Sequence, residues 1–375
     1  MPSTRTTFPA GLVAGALLAG ALLAGALLAC APRAPEPAAV AHVGTPPTYA
    51  NPVLDADFPD PTVIRASDGW YYAYATQTER GGRTINVQVM RSRDLVRWER
   101  LGDALPAKPA WADSTQDFWA PHVSEHDGTF YLYYSAKPDA ALADTTRGLC
   151  LAVGTARNAR GPFVDSGRPL VCGPGFVNID PMQFDDPRTG TRLLYWGSGF
   201  GPIKVQELAA DRLSFAPGSE PAPLVHSVAT ADTSVYQRLV EGAWVTYHAP
   251  YYYLFYSGDN CCGRHAHYAV MVARSRAATG PFETLAEATG RARSVILARR
   301  GRWVAPGHNS VVRDARGDDW MVYHAVDSLR PRATPTDEVN TRRVLLIDRV
   351  TYRDGWPQVE GDGPSSEPRA APAVR

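Results

Sequence analysis

The chain opens on an unbroken apolar stretch and then changes character. From Ala10 to Ala29 nearly every residue is Ala, Leu, Gly or Val, repeating as AGALL. Beyond it no long stretch carries a 3.6-residue apolar period, so no long amphipathic helix is predicted. Short runs rich in Tyr, Trp, Val and Thr follow turn residues instead, the pattern of β-strands. These runs are DGWYYAYAT from Asp68, DGTFYLYYSA from Asp127, TGTRLLYWGSG from Thr189, APYYYLFYSGD from Ala249 and GDDWMVYHA from Gly317. Their starts lie 59, 62, 60 and 68 residues apart. A weaker motif falls between them, as in RSRDLVRWERLG from Arg91 and ARSRAATGPFETL from Ala273.

Evenly spaced groups of short strands are the mark of radial repetition. Five copies fit between Tyr49 and Gly361, so the expected fold is all-β, a five-bladed β-propeller. Each blade is a four-stranded sheet whose innermost strand faces a central channel. A pair of β-sandwiches accounts for the aromatic runs but not for their even spacing.

The N-terminal run reads as an export signal. Arg5 precedes the apolar stretch, which ends in Leu27-Leu28-Ala29-Cys30 and is followed by Ala31-Pro32. A basic start, an apolar middle and small residues before a cysteine match a bacterial lipoprotein signal. A plain secretory signal and an uncleaved anchor are the competing readings. The expected organisation is a signal peptide over 1–29, lipidation at Cys30 and a Pro/Ala-rich tether over 30–46. The propeller then spans 47–361, and 362–375 form a C-terminal tail. Ala after Cys30 points to anchoring in the outer membrane of the cell envelope.

Composition narrows the partners. The 375 residues carry 38 basic and 38 acidic side chains, a formal charge of zero. Nucleic-acid binders carry a basic excess, so none is expected as a partner. Outside the cytoplasm the remaining cysteines are free to pair. Cys150 opens the strand-like CLAVGT and Cys172 closes RPLVC after a turn segment, which places them opposite each other in an antiparallel pair and predicts a disulfide. Adjacent Cys261 and Cys262 are either bonded or reduced. Together with His265 and His267 they form a cluster, but adjacent cysteines do not match zinc spacing.

Three acids stand at corresponding points of different repeats: Asp60 in DADFPDPTVI, Asp180 in FVNIDPMQFDD and Glu241 in RLVEGAWV. One Asp-Pro pair is an ordinary turn. Acids among apolar neighbours in three repeats suggest a shared site, where desolvation and mutual repulsion separate carboxyl pKa values.

An ordered set of motifs adds a resemblance. NPVLDADFPDPTVI, FWAPHV from Phe118, NIDPMQFDD from Asn178, VEGAW from Val240, TGPF from Thr279, GHNSVV from Gly307 and DGWP from Asp354 together resemble glycoside hydrolase family 43. DNCCGR from Asp259 is similar to the endo-1,5-α-L-arabinanase branch. The resemblance implies a five-bladed propeller and inverting hydrolysis, with Asp60 as general base, Glu241 as general acid and Asp180 tuning and orienting that acid. Asp57 is the second candidate for the base. It also implies that Trp119 and Trp244 offer stacking faces, that Arg343 lies near the bound sugar, and that His308 helps hold a calcium ion, largely through water. No cofactor is required for the chemistry. The implied partner is arabinan in plant cell walls, with a membrane reached through the lipid anchor. A β-xylosidase or exo-α-L-arabinofuranosidase on the same scaffold is the nearest alternative, and a non-catalytic polysaccharide-binding propeller is the alternative of another class. Retaining fructan hydrolases are disfavoured, because their nucleophile segment is missing. The chain departs from the family pattern at His122, where Asp is usual, and at Gly242-Ala243, where Pro soon follows the acid.

Overall fold

The computed structural model describes residues 47–332 and 341–374, and within them the five repeats become five antiparallel sheets. The signal peptide, Cys30 and the tether lie outside the described residues. Blade I contains Thr62–Arg65, Tyr71–Ala75, Gln88–Ser92 and Glu99–Asp103. Blade II contains Trp119–His126, Thr129–Ala136, Cys150–Ala156 and Val164–Asp165, with Val171–Cys172 added to its third strand. Blade III contains Met182–Asp185, Arg192–Trp196, Ile203–Glu207 and Ala222–Val225. Blade IV contains Val240–His248, Tyr251–Asn260, His267–Ser275 and Glu283–Thr284, with Val295–Leu297 beside the third strand. Blade V contains Trp303–Arg313, Asp319–Asp327, Arg343–Arg353 and Trp356–Val359. First strands of neighbouring blades touch around the ring, blade V against blade I included. The chain is a five-bladed β-propeller.

The aromatic runs are the second strand of each blade, and they read as continuous apolar runs because both faces are covered. Alternate residues of a strand point to opposite faces. In blade II, Leu132, Tyr134 and Ala136 pack with blade I residues, while Tyr133 packs with Leu194 and Trp196 of blade III. In blade III, Leu193 and Tyr195 join Val245 and Phe255 of blade IV. The core is therefore a series of layers between blades. Tyrosine recurs because its hydroxyl must find a partner where the apolar layer ends. Tyr133 donates to the Arg212 carbonyl at 2.9 Å, Tyr195 to the Ala278 carbonyl at 2.7 Å and Tyr253 to the Gly355 carbonyl at 2.9 Å, each reaching the next blade.

Cys150 and Cys172 are register partners on adjacent strands and are joined by a disulfide, as expected. Cys261 and Cys262 are bonded to each other. The segment expected as a C-terminal tail is instead stitched to the body. Arg369–Ala370 pair with Thr48–Tyr49, and Ser365, 2% exposed, accepts from Asn51 Nδ2 at 2.9 Å. The Ser365 carbonyl accepts from Trp303 Nε1 at 3.1 Å. Buried polar groups at both ends of the domain need these partners, which hydropathy does not register.

At the hub every blade enters through a residue with left-handed φ: Asp60 at 56°, Ala120 at 45°, Asp180 at 60°, Gly242 at 61° and His308 at 46°. The backbone N–H of four of these residues is taken by a side chain at the hub end of the preceding blade's second strand. Ala120 donates to Thr76 Oγ1 at 2.8 Å, Asp180 to Ser135 Oγ at 3.2 Å, His308 to Ser257 Oγ at 2.8 Å and Asp60 to His324 Nδ1 at 3.0 Å. Ser257 is fully buried, so its replacement by Ala leaves the His308 N–H without a partner. Ser257→Ala is expected to lower unfolding stability by about 1–3 kcal/mol in denaturant titration, the cost of a buried unsatisfied donor. Ser166 sits in an exposed loop where water replaces a lost partner, so Ser166→Ala serves as the control with no measurable loss.

Candidate functional site

The left-handed turn aims side chains of successive blades toward the axis. Pro59 and Asp60, Trp119, Ile179 and Asp180, Glu241 and His308 all line one cleft of about 1240 Å³. Such a cleft exceeds the ~300–1,000 Å³ usual for small-molecule pockets. Asp60, Asp180 and Glu241, from three blades, are thus brought together as the sequence suggested. Each is 8% exposed or less.

The three carboxyls are not equivalent. Asp60 Oδ1 accepts from Arg343 Nη1 at 2.7 Å and its Oδ2 from Thr76 Oγ1 at 2.7 Å. Burial by itself raises this carboxyl, but the Arg343 guanidinium, the two neighbouring histidines and the Thr76 hydroxyl outweigh it and hold Asp60 well below the usual range. Asp180 is pushed the other way, by burial and then by the charges of Glu241 and Asp60. Glu241 is also raised, chiefly by burial, against the opposing hydrogen bonds of Ser198 and Tyr268. Ser198 Oγ donates to Glu241 Oε2 at 2.6 Å and the Tyr268 hydroxyl to Oε1 at 2.8 Å. The Gly242 N–H donates to Asp180 Oδ2 at 2.9 Å. Two raised carboxyls beside one held low favour a proton on the pair over one on Asp60. One carboxyl disposed to ionise beside others disposed to keep a proton is the division that general acid–base chemistry requires.

His308 Nδ1 stands 3.6 Å from Asp60 Oδ1 and 3.7 Å from Asp180 Oδ2. Burial lowers its pKa, and burial lowers that of His324 further. Arg343 is the guanidinium hydrogen-bonded to Asp60 at the hub. Two glycines are required by this packing. A β-carbon on Gly242 would lie 3.3 Å from His308 Nδ1, and the residue's φ of +61° is closed to proline. A β-carbon on Gly307 would fall 2.1 Å from the Tyr268 ring, the ring that carries a donor to Glu241.

Trp119 and Arg343 line the cleft as expected, and Asp57 lines it too. Asp57 Oδ1 accepts the Arg343 backbone N–H at 2.9 Å, and burial raises its carboxyl despite Arg343. Trp244 is a correction. Glu241 lines the cleft, but the Trp244 indole is buried in inter-blade packing, 5.4 Å from His122. His122 is itself buried there and pushed down to about 3 by desolvation. The cysteine–histidine cluster is no zinc site: the two sulfurs are bonded to each other and His267 Nδ1 lies 2.6 Å from Asp259 Oδ2. Sequence reasoning missed Thr76, Ser198, Tyr268 and His324. Thr76, Ser198 and His324 lie at or just past the end of an aromatic run, so their signal was a polar residue closing the repeat. Tyr268 carried no such signal.

A family model described as glycosyl hydrolases family 43 matches residues 49–357. The chain is 28% identical over 324 residues to the extracellular exo-α-(1→5)-L-arabinofuranosidase ArbA of Cellvibrio japonicus, covering 81% of this chain and 86% of that protein. It is 26% identical over 312 residues to the extracellular endo-α-(1→5)-L-arabinanase 1 of Bacillus subtilis, covering 80% of this chain and 86% of that protein. The solved structure of a thermostable family-43 glycoside hydrolase matches with a TM-score of 0.69 at 27% identity, covering 88% of this chain and 100% of that one.

Ser198 and Tyr268 each stabilise the charged form of Glu241. Ser198→Ala or Tyr268→Phe removes one donor, so the Glu241 pKa rises. Turnover that needs the Glu241 proton is lost as pH rises through that pKa. The alkaline limb of the kcat/KM profile is expected to move to higher pH in both variants, and an unmoved limb would show that these hydroxyls do not act on Glu241.

Proposed function

Because the chain belongs to glycosyl hydrolases family 43, we propose that it cleaves the α-1,5 bonds of arabinan internally and with inversion, with Asp60 as general base and Glu241 as general acid. Membership makes it a glycosidase acting on O-glycosyl bonds. The observation that carries the acid–base assignment is three buried carboxyls in one cleft whose pKa values are pushed in opposite directions. Arg343 favours an ionised Asp60, while burial and the Asp60 charge favour a proton on Glu241.

In the proposed step a water attacks the anomeric carbon while Asp60 takes its proton. The bond to the leaving oxygen breaks as Glu241 delivers a proton to it, and both carboxyls reset through solvent. Inversion needs the base and acid about 6.5–9.5 Å apart, with the water between. Asp180, fixed by the Gly242 N–H, raises the acid and orients its strand. Relatives named for α-1,5 arabinofuranosyl substrates support the substrate class, and the open cleft supports internal cleavage. Both of those relatives are named extracellular, which supports export; lipid anchoring at Cys30 to the outer membrane belongs to the same proposal.

A calcium ion near His308 is proposed as a structural feature. Among the described residues no three His, Cys, Asp or Glu side chains form a metal cage. The adjacent Asn309 leaves its buried Oδ1 without a partner, an oxygen of the kind calcium takes. His308 and water would supply the rest, and no step of hydrolysis uses the ion. Elemental analysis of the purified protein is expected to find calcium near one equivalent; a metal-free protein of full activity would remove the ion from the account.

Product analysis on linear arabinan, arabinoxylan and xylo-oligosaccharides tests the reading. Internal cleavage of arabinan to short oligomers, with the inverted anomer seen first by NMR, is expected. Asp60→Ala and Glu241→Ala are each expected to abolish it in a folded protein. Release of arabinose alone would favour the exo mode, release of xylose the xylosidase, and binding without cleavage the non-catalytic propeller.

A further inference from the structure

Two aromatic rings beside the general acid take no part in the chemistry above. Phe200 lines the cleft yet is 67% exposed. It sits in the turn after the second strand of blade III with a left-handed φ of 64°. That conformation is rare for a bulky side chain and persists only where the surroundings hold it. Here the Ser227 hydroxyl donates to the Phe200 carbonyl at 2.6 Å, and the Gly201 N–H donates to the Ser198 carbonyl at 3.1 Å. Phe176, from the loop ahead of Asp180, also lines the cleft and meets Phe200 edge-on, with ring centroids 6.3 Å apart at 64°. The edge-on contact supports Phe200 while leaving its ring largely open to solvent.

The position of this pair relative to the acid gives it a role. Ser198, two residues before Phe200 on the same turn, donates to Glu241 Oε2. One turn thus fixes the acid and presents the exposed ring. In the proposed step the proton of Glu241 goes to the oxygen that departs with the second sugar, and Phe200 and Phe176 line the same cleft as Glu241. We propose that Phe200, backed by Phe176, is the subsite for the leaving-group sugar, an uncharged pentofuranose whose C–H face packs on the ring. The chemistry matches: both side chains are uncharged, and an aromatic face receives an apolar sugar face without a charged partner. This assignment rests on the arabinan reading given above.

The test uses the full-length protein with α-1,5-linked arabinotriose and linear arabinan. Phe200→Ala is expected to lower kcat/KM about tenfold, which corresponds to about 1.4 kcal/mol of transition-state binding. Phe200→Trp, which keeps an aromatic face, is expected to restore most of it. The alkaline limb of the pH profile is expected to stay in place, because Ser198 is untouched. A Phe200→Ala enzyme within about twofold of wild type, roughly 0.4 kcal/mol, would overturn the subsite. So would a loss that Trp does not restore and that moves the alkaline limb, since that marks a collapsed turn. Wild-type protein inactive on arabinan would remove the substrate reading and the subsite with it. Wild-type activity with no response at Phe200 would remove the subsite alone.

Discussion

A left-handed residue at the inner end of each blade, with its N–H held by a side chain of the blade before it, is the constraint on which the site depends. An L-residue in that conformation costs about 1–2 kcal/mol. That strain is offset at the hub by hydrogen bonds from Ala120, Asp180, His308 and Asp60 to Thr76, Ser135, Ser257 and His324. The same turn aims neighbouring side chains at the axis. Chemistry then depends on which residues stand at these few positions. In blades I and III an Asp occupies the left-handed position itself. In blade IV that position is Gly242, and the acid stands one residue earlier.

The junction between blades III and IV departs from the rule. Ser198, in the place where its counterparts accept a backbone N–H, donates to Glu241 instead. The Gly242 N–H, left over, goes to Asp180 Oδ2. One exchanged hydrogen bond therefore ties Glu241 to blade III and Asp180 to the strand that carries Glu241. On the opposite side, His324 closes the ring between blades V and I and also lies 3.4 Å from Asp60 Oδ1. Ring closure and the surroundings of Asp60 thus meet at a single imidazole, whose pKa complete burial lowers well below the usual range.

The repeat was legible because packing on both faces demands apolar residues along the whole of each second strand, and tyrosine marks where each reaches the next blade. Asp60, Asp180 and Glu241 were legible because acids in apolar surroundings are rare. Trp244 was misread because an aromatic beside an acid reads the same in sequence whether its ring faces a sugar or a neighbouring blade. The 362–374 segment was misread because its worth lies in hydrogen bonds such as that of Ser365 to Asn51, not in apolar surface. Thr76, Ser198 and His324 stood in plain view at the ends of the aromatic runs, yet their partners lie in other blades, which no local pattern reveals.

The central claim is that the hub keeps one carboxyl charged while a neighbouring pair retains a proton. Carbon-13 NMR of protein labelled at its Asp and Glu carboxyl carbons, assigned through Asp60→Asn and Glu241→Gln, reads this directly. The account predicts that the Asp60 signal stays at its ionised shift into strong acid while one signal of the Asp180–Glu241 pair keeps a protonated shift at neutral pH. Three carboxyls all ionised at neutral pH, or a protonated Asp60, would contradict it.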